Sequence, residues 1–221
     1  MLFRSIAERL HDEEAAVHCL NTIGSSMIVG GRIDEGRQHL EASRERAERI
    51  PSDFWTSNAL GNLGTASGEA YRFDLAERYL ERGIEFCGER DIDYARLYQL
   101  SWLALTRMYR GRWTEAAAAG HEVLANRRSP GIARMMALLA IGRVRARRGD
   151  PAVWEALNEA RDLAMRTATL QRVAPMHAAR AEAAWLEGRD ADAAREAAPG
   201  IELAVRKRHA GFAAEIGRAH V

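Results

Sequence analysis

Apolar positions in this chain keep two periods at once: the three-to-four-residue spacing of helices, and a longer repeat of about forty residues. Leu20 and Ile23 precede Gly24, Leu60 and Leu63 precede Gly64, Leu100 and Leu103 precede Ala104, and Leu138 and Ile141 precede Gly142. A fifth mark, Ala181, has His177 and Arg180 in the apolar places. The gaps between marks are 40, 40, 38 and 39 residues. A second small residue follows twelve positions after the first at Gly36, Ala76, Ala116 and Ala193, and fourteen after Gly142 at Ala156. The pattern predicts an all-α fold, an α-solenoid of about five antiparallel helical hairpins. A leading helix over 2–10 precedes hairpins at 13–30 with 33–49, 54–70 with 74–88, 94–109 with 114–126, 131–148 with 152–166, and 171–187 with 190–207. Residues 1–215 form one solenoid in this reading.

Packing explains the spacing. Each first helix (A) needs a small residue where its partner (B) crosses closely, and B needs one at the same contact. Between them the chain must reverse, which favours a left-handed glycine; Gly31, Gly111, Gly149 and Gly188 stand there, whereas the second unit has Tyr71. Asp150 before Pro151, Ser129 before Pro130, and Ser52 are expected N-caps. Pro175 should delay or bend its helix, and Pro199-Gly200 should kink or end the last one early. This placing of small residues resembles the tetratricopeptide repeat, with a period longer than the usual 34 or so residues. HEAT and armadillo repeats have the length without that placing.

Composition narrows the picture further. Hydrophobic residues are 47% of the chain and aromatics 7%; much of the apolar content is alanine, a good helix former and a poor strand former. Net charge is +1, so the chain as a whole exerts no strong pull on nucleic acid or membrane. Lys207 is the only lysine. Cys19 and Cys87 sit in amphipathic patterns and read as reduced core residues. No signal peptide or membrane-spanning run is evident, which predicts a cytoplasmic protein without membrane contact.

A series of segments carries a closer likeness. It runs through Glu77-Arg78-Tyr79-Leu80-Glu81-Arg82-Gly83-Ile84, Arg96-Leu97-Tyr98, Gly111-Arg112-Trp113-Thr114-Glu115-Ala116-Ala117, Gly142–Pro151 and Ala181–Gly188. Together they resemble the helical-repeat region of large bacterial LuxR-type transcriptional regulators and related ATPases of the maltose-regulator-like class. The resemblance implies a regulatory arm that binds a protein or peptide partner, or a small-molecule effector, and contacts no nucleic acid itself. No phosphate-binding G-x-x-x-x-G-K-[ST] loop and no helix-turn-helix occurs in the sequence, so no ATPase residue carries over. A free-standing tetratricopeptide adaptor is the alternative, and an all-α enzyme a distant one. The tail Ile216–Val221 matches the translation of a common sequencing adapter, so residues 216–221 are expected to be foreign and the natural frame to break at Glu215. Uncapped helix faces at both ends should then be sticky.

Site chemistry is sparse. Gly61–Gly64 has no lysine or preceding strand for a phosphate loop, and no G-x-S-x-G surrounds a serine. Histidines and cysteines lack metal-ligand spacing. The sequence therefore predicts no catalytic residues, no metal and no cofactor. Arg143, Arg145, Arg147 and Arg148 form the densest basic cluster, read as cations at a helix C-terminus rather than an anion site. Partner binding is expected on the concave face, at offsets −6, −3, +1 and +4 from each small mark. These positions are His18, Asn21, Ser25 and Ile28; Asn58, Gly61, Thr65 and Gly68; Tyr98, Ser101, Leu105 and Met108; and Met136, Leu139, Arg143 and Ala146. Asn21 and Asn58 suit a peptide backbone, and Tyr98, Met108 and Met136 an apolar side chain, with His18, Ser25, Thr65, Ser101 and Arg143 beside them.

Overall fold

The computed structural model describes residues 9, 11–167, 169–207, 212 and 216–217. Among them are ten α-helices and no strand: α1 (Glu13–Val29), α2 (Ile33–Ala47), α3 (Asp53–Glu69), α4 (Phe73–Gly88), α5 (Asp93–Tyr109), α6 (Trp113–Ala125), α7 (Gly131–Arg148), α8 (Val153–Thr167), α9 (Leu170–Leu186) and α10 (Asp190–Arg206). The expected leading helix over 2–10 lies outside the described residues apart from Arg9, and so do residues 218–221 of the tail.

The chain divides into two compact units, residues 1–106 and 107–221. In the first, α1 packs on α2, α2 on α3, α3 on α4, and α1 on α3. In the second, α6 packs on α7, α7 on α8, α8 on α9, α9 on α10, and α7 on α9. Contact between neighbours and next-but-one helices is the signature of stacked hairpins, each burying its apolar face on the next. Each unit is thus an all-α helical-repeat stack.

The small residues act as the spacing requires. A Cβ on Gly24 would lie 2.7 Å from Gly36 O, and one on Gly36 would lie 2.5 Å from Gly24 O, so α1 and α2 touch backbone to backbone. Gly64 and Gly142 instead make room for Leu80 and Leu157, at 2.6 and 2.5 Å from the same built Cβ. Every hairpin reverses through one hydrogen-bonded motif. Gly31, Tyr71, Gly111, Gly149 and Gly188 take left-handed φ of 87°, 58°, 78°, 72° and 72°. The amide of the following residue donates five positions back, as in Arg32 N to Met27 O at 2.8 Å and Arg72 N to Ser67 O at 2.9 Å, closing the last turn of helix A.

Three expectations at helix ends are corrected. Ser129 does not cap α7: Pro130 occupies the N-cap, and Ser129 Oγ donates backwards to Val123 O at 2.5 Å. Asp150 belongs to the turn after α7, its amide bonded to Arg145 O, and the next helix starts only at Val153 after Ala152 at φ 63°. The prolines neither delay nor end their helices. Helix α9 starts at Leu170 and contains Pro175, and α10 runs on to Arg206 through Pro199. Ala174, Ala178, Ala181, Ala197 and Ala204 pack in one core cluster there, and such burial sustains a helix that has lost one hydrogen bond. Ser52 is the N-cap of α3 as expected, although its side chain makes no capping bond. Phe212 and Ile216 are buried in the α9–α10 cluster.

Candidate functional site

The A helices of the first unit, α1 and α3, bring a polar group together. Asn21, almost wholly buried on α1, donates from Nδ2 to Asn58 Oδ1 on α3. Asn62 Nδ2, one turn beyond Asn58, donates to Asn21 Oδ1 at 3.1 Å and to Asn58 Oδ1 at 3.4 Å. Exposed His18 lies one turn before Asn21, its ring 5.5 Å from that of Trp55. Thr65 Oγ1 donates to Asn62 O at 3.5 Å, and Ser25 Oγ is buried without a hydrogen-bond partner. Three carboxamides, each with donors and an acceptor, are thus clustered across two neighbouring A helices. Asn62 and Trp55 escaped the offset arithmetic. Asn62 stands four residues from Asn58, so helical spacing alone could have found it.

Other predicted positions lie elsewhere. Tyr98 is half-buried, and Ser101 is fully buried with its hydroxyl donating to Tyr98 O at 2.6 Å. Met108 and Met136 are closed to solvent. Arg143 is buried in the second unit, donating to the Tyr109 hydroxyl with its guanidinium 5.1 Å from that ring and 3.4 Å from Glu182. Arg147 meets Glu182 at 2.5 Å, Arg145 donates to Ala152 O at 3.1 Å, and Arg148 to Thr114 Oγ1 at 2.9 Å. All four arginines of the basic cluster therefore have partners within the protein.

The last hairpin replaces apolar contacts by a part-buried polar network around buried Arg180. Arg180 on α9 grips Glu196 of α10 with two bonds of 2.7 Å and Asn158 of α8 with a third, also 2.7 Å. Its guanidinium lies 5.0 Å from the Trp154 ring. His177 Nδ1 donates to Glu196 O at 2.7 Å, which sets the tautomer when the ring is neutral. Gly200 permits this approach, since a Cβ there would stand 2.8 Å from His177 Cβ. Burial, helped by the charge of Arg180, pushes the His177 pKa below its ordinary value. The unfolded chain then binds the proton more tightly, so this contribution to stability is complete above about pH 6.5 and is lost progressively as pH falls below it through the lower folded-state pKa. Comparing wild type with His177→Asn by thermal melts should show this step in wild type and its loss in the variant. Equal pH profiles would contradict it.

Among the described residues no cluster of three or more His, Cys, Asp or Glu could hold a metal ion, and no helix is long and apolar enough to cross a membrane. Cys19 and Cys87 are free thiols, and burial pushes Cys87 up to about 11.

Stacked antiparallel hairpins closed by left-handed turns, with small residues at the A–B crossings, define a tetratricopeptide-like helical repeat. A family model described as tetratricopeptide repeat matches residues 13–89, the segment from α1 through α4. No curated protein matches the chain.

Proposed function

We propose that the chain is a non-catalytic interaction module that takes an extended peptide of a partner protein along the A-helix face of its first unit. The carboxamide cluster of Asn21, Asn58 and Asn62 carries this reading. Such groups match the alternating N–H and C=O of an extended backbone, and they sit within the segment that matches the tetratricopeptide family. His18, Trp55, Thr65 and the unpartnered Ser25 hydroxyl flank them. Asn58→Ala with Asn62→Ala should weaken peptides selected from a random display library by about tenfold or more, as expected for lost buried hydrogen bonds. Selected peptides that bind wild type and the double variant alike would refute the site.

In its wider setting we read the chain as the sensing arm of a LuxR-type ATPase regulator, acting in the cytoplasm. The segment series from Glu77 to Gly188 supports that reading. Flanking DNA decides between it and a free-standing adaptor. An in-phase upstream frame encoding a phosphate-binding loop favours the regulator, whereas an independent frame lacking one favours the adaptor.

A further inference from the structure

The second hairpin departs from the repeat at two positions, and both departures line one cleft. Four of the five hairpin turns share a design in which an arginine follows the left-handed residue and opens helix B. Arg32, Arg72, Arg112 and Arg189 hold nearly the same backbone there, with φ of −87°, −89°, −83° and −100°. Three of the four bind a carboxylate three residues on. Arg32 grips Glu35 through Nε at 3.0 Å and Nη2 at 2.5 Å; Arg112 reaches Glu115 at 2.8 Å, and Arg189 reaches Asp192 at 2.7 Å. Hydrogen bonds from their arginines hold Glu35 and Glu115 below the usual carboxylate range. In the second hairpin that place is taken by Leu75, and Arg72 makes no ion pair or side-chain hydrogen bond among the described residues.

The residue before Arg72 is the other departure. Tyr71 stands where the equivalent turns have glycine, and accepts a φ of 58° that only glycine adopts without strain. Its ring meets Phe73 edge to face at 5.8 Å. Tyr71, Arg72, Phe73 and Leu75 line a cleft of about 440 Å³ together with Ile28 near the end of α1 and Ile33 at the start of α2. Arg37, Asp34 and Asp74 also line it, so two cations and two carboxylates share the cleft, and Asp74 is already engaged in an interaction of its own. The volume suits a small molecule rather than a protein surface.

We infer that this cleft binds a small amphipathic carboxylic acid, whose carboxylate takes on Arg72 the place that Glu35 holds on Arg32 and whose apolar body lies against Leu75, Phe73 and Tyr71. Internal comparison supplies the charge complementarity: the arginine keeps its posture and lacks the partner its counterparts have. A bidentate carboxylate is the ligand a guanidinium fork fits best. None of the asparagine cluster lines the cleft, and the cleft's test is independent of peptide binding.

Octanoate is the probe, titrated into the full chain and followed by calorimetry and by ¹H–¹⁵N spectra. Octanoate should bind one to one and shift the amides of residues 71–75; octan-1-ol and acetate, each carrying half of the ligand, should bind at least about tenfold more weakly. Arg72→Gln should lose about tenfold in affinity, whereas Arg32→Gln, the matched exposed arginine, should change nothing. Leu75→Glu, which supplies the missing carboxylate internally, should abolish binding while circular dichroism stays helical. Octanol binding as tightly as octanoate, equal affinity in Arg72→Gln, or no binding at millimolar octanoate would each overturn the inference. Because Arg72 is exposed, that variant's folding is not in question, and the result stands even where Leu75→Glu fails to fold.

Discussion

Gly36→Ala is expected to destabilise the first hairpin by about 2–3 kcal/mol, the upper range for an added methyl in a packed core. The new Cβ would be 2.5 Å from Gly24 O and 2.6 Å from Ile28 Cγ1, while its counterpart on Gly24 meets Gly36 O at 2.7 Å. A carbonyl oxygen fixed in a helix cannot rotate away, so the two helix axes must part. Parting them exposes Leu40, which is completely buried between them. Gly142→Ala should cost less, about 1 kcal/mol, since it meets the side chain of Leu157 rather than a backbone. Amide exchange separates the cases. Gly36→Ala should speed exchange throughout α1 and α2, and Gly142→Ala should leave that hairpin unchanged. Equal loss of stability in the two variants would mean that backbone contact is not what the glycine pair provides.

This glycine pair also shows why so much of the fold was legible in the sequence. Backbone-to-backbone approach and a left-handed turn are demands that few residues meet, so Gly24, Gly36, Gly31, Gly111, Gly149 and Gly188 mark positions with little ambiguity. All ten helix starts from α1 to α10 fall within one residue of those expected. The site was less legible, and α7 shows the reason. Buried residues run almost without break from Met135 to Val144, so this helix is covered on several faces. Offset arithmetic assumes one covered and one open face, and it therefore assigned Met136 and Arg143 to a groove although both are enclosed. In α3 the buried run is interrupted at half-buried Asn58 and Asn62, which hydrogen-bond to Asn21 of α1. Tyr109 and Glu182, the partners that absorb the Arg143 charge, come from other hairpins and leave no mark in the local sequence. The strained Tyr71 was visible only as a missing glycine; what the departure creates emerges when Leu75, Ile28 and Ile33 are seen to line one cleft with it.

Arg180→Ala is the other large effect, expected to cost about 3 kcal/mol, near the lower bound for breaking a buried ion pair by removing one partner. Arg180 is 5% exposed, and its equivalents Leu63, Leu103 and Ile141 are plain core residues, so the last hairpin carries a cation where the others carry a hydrocarbon. Removing it leaves both oxygens of half-buried Glu196 without their partner, takes the cation off Trp154, and leaves a cavity, while exposed Asn158 turns to water. Glu196 keeps a quarter of its side chain in water, which holds the penalty below that of a fully enclosed carboxylate. Two further variants distinguish charge from volume. Arg180→Leu restores the apolar residue of the other repeats and should recover about half of the loss by filling the space. Adding Glu196→Ala to Arg180→Leu should cost less than the sum of the single changes, because the stranded carboxylate goes with it; the coupling should exceed about 1 kcal/mol. Additive single and double effects in denaturant melts would show that the pair is not coupled, and that Arg180 serves the hairpin only through its bulk against Trp154.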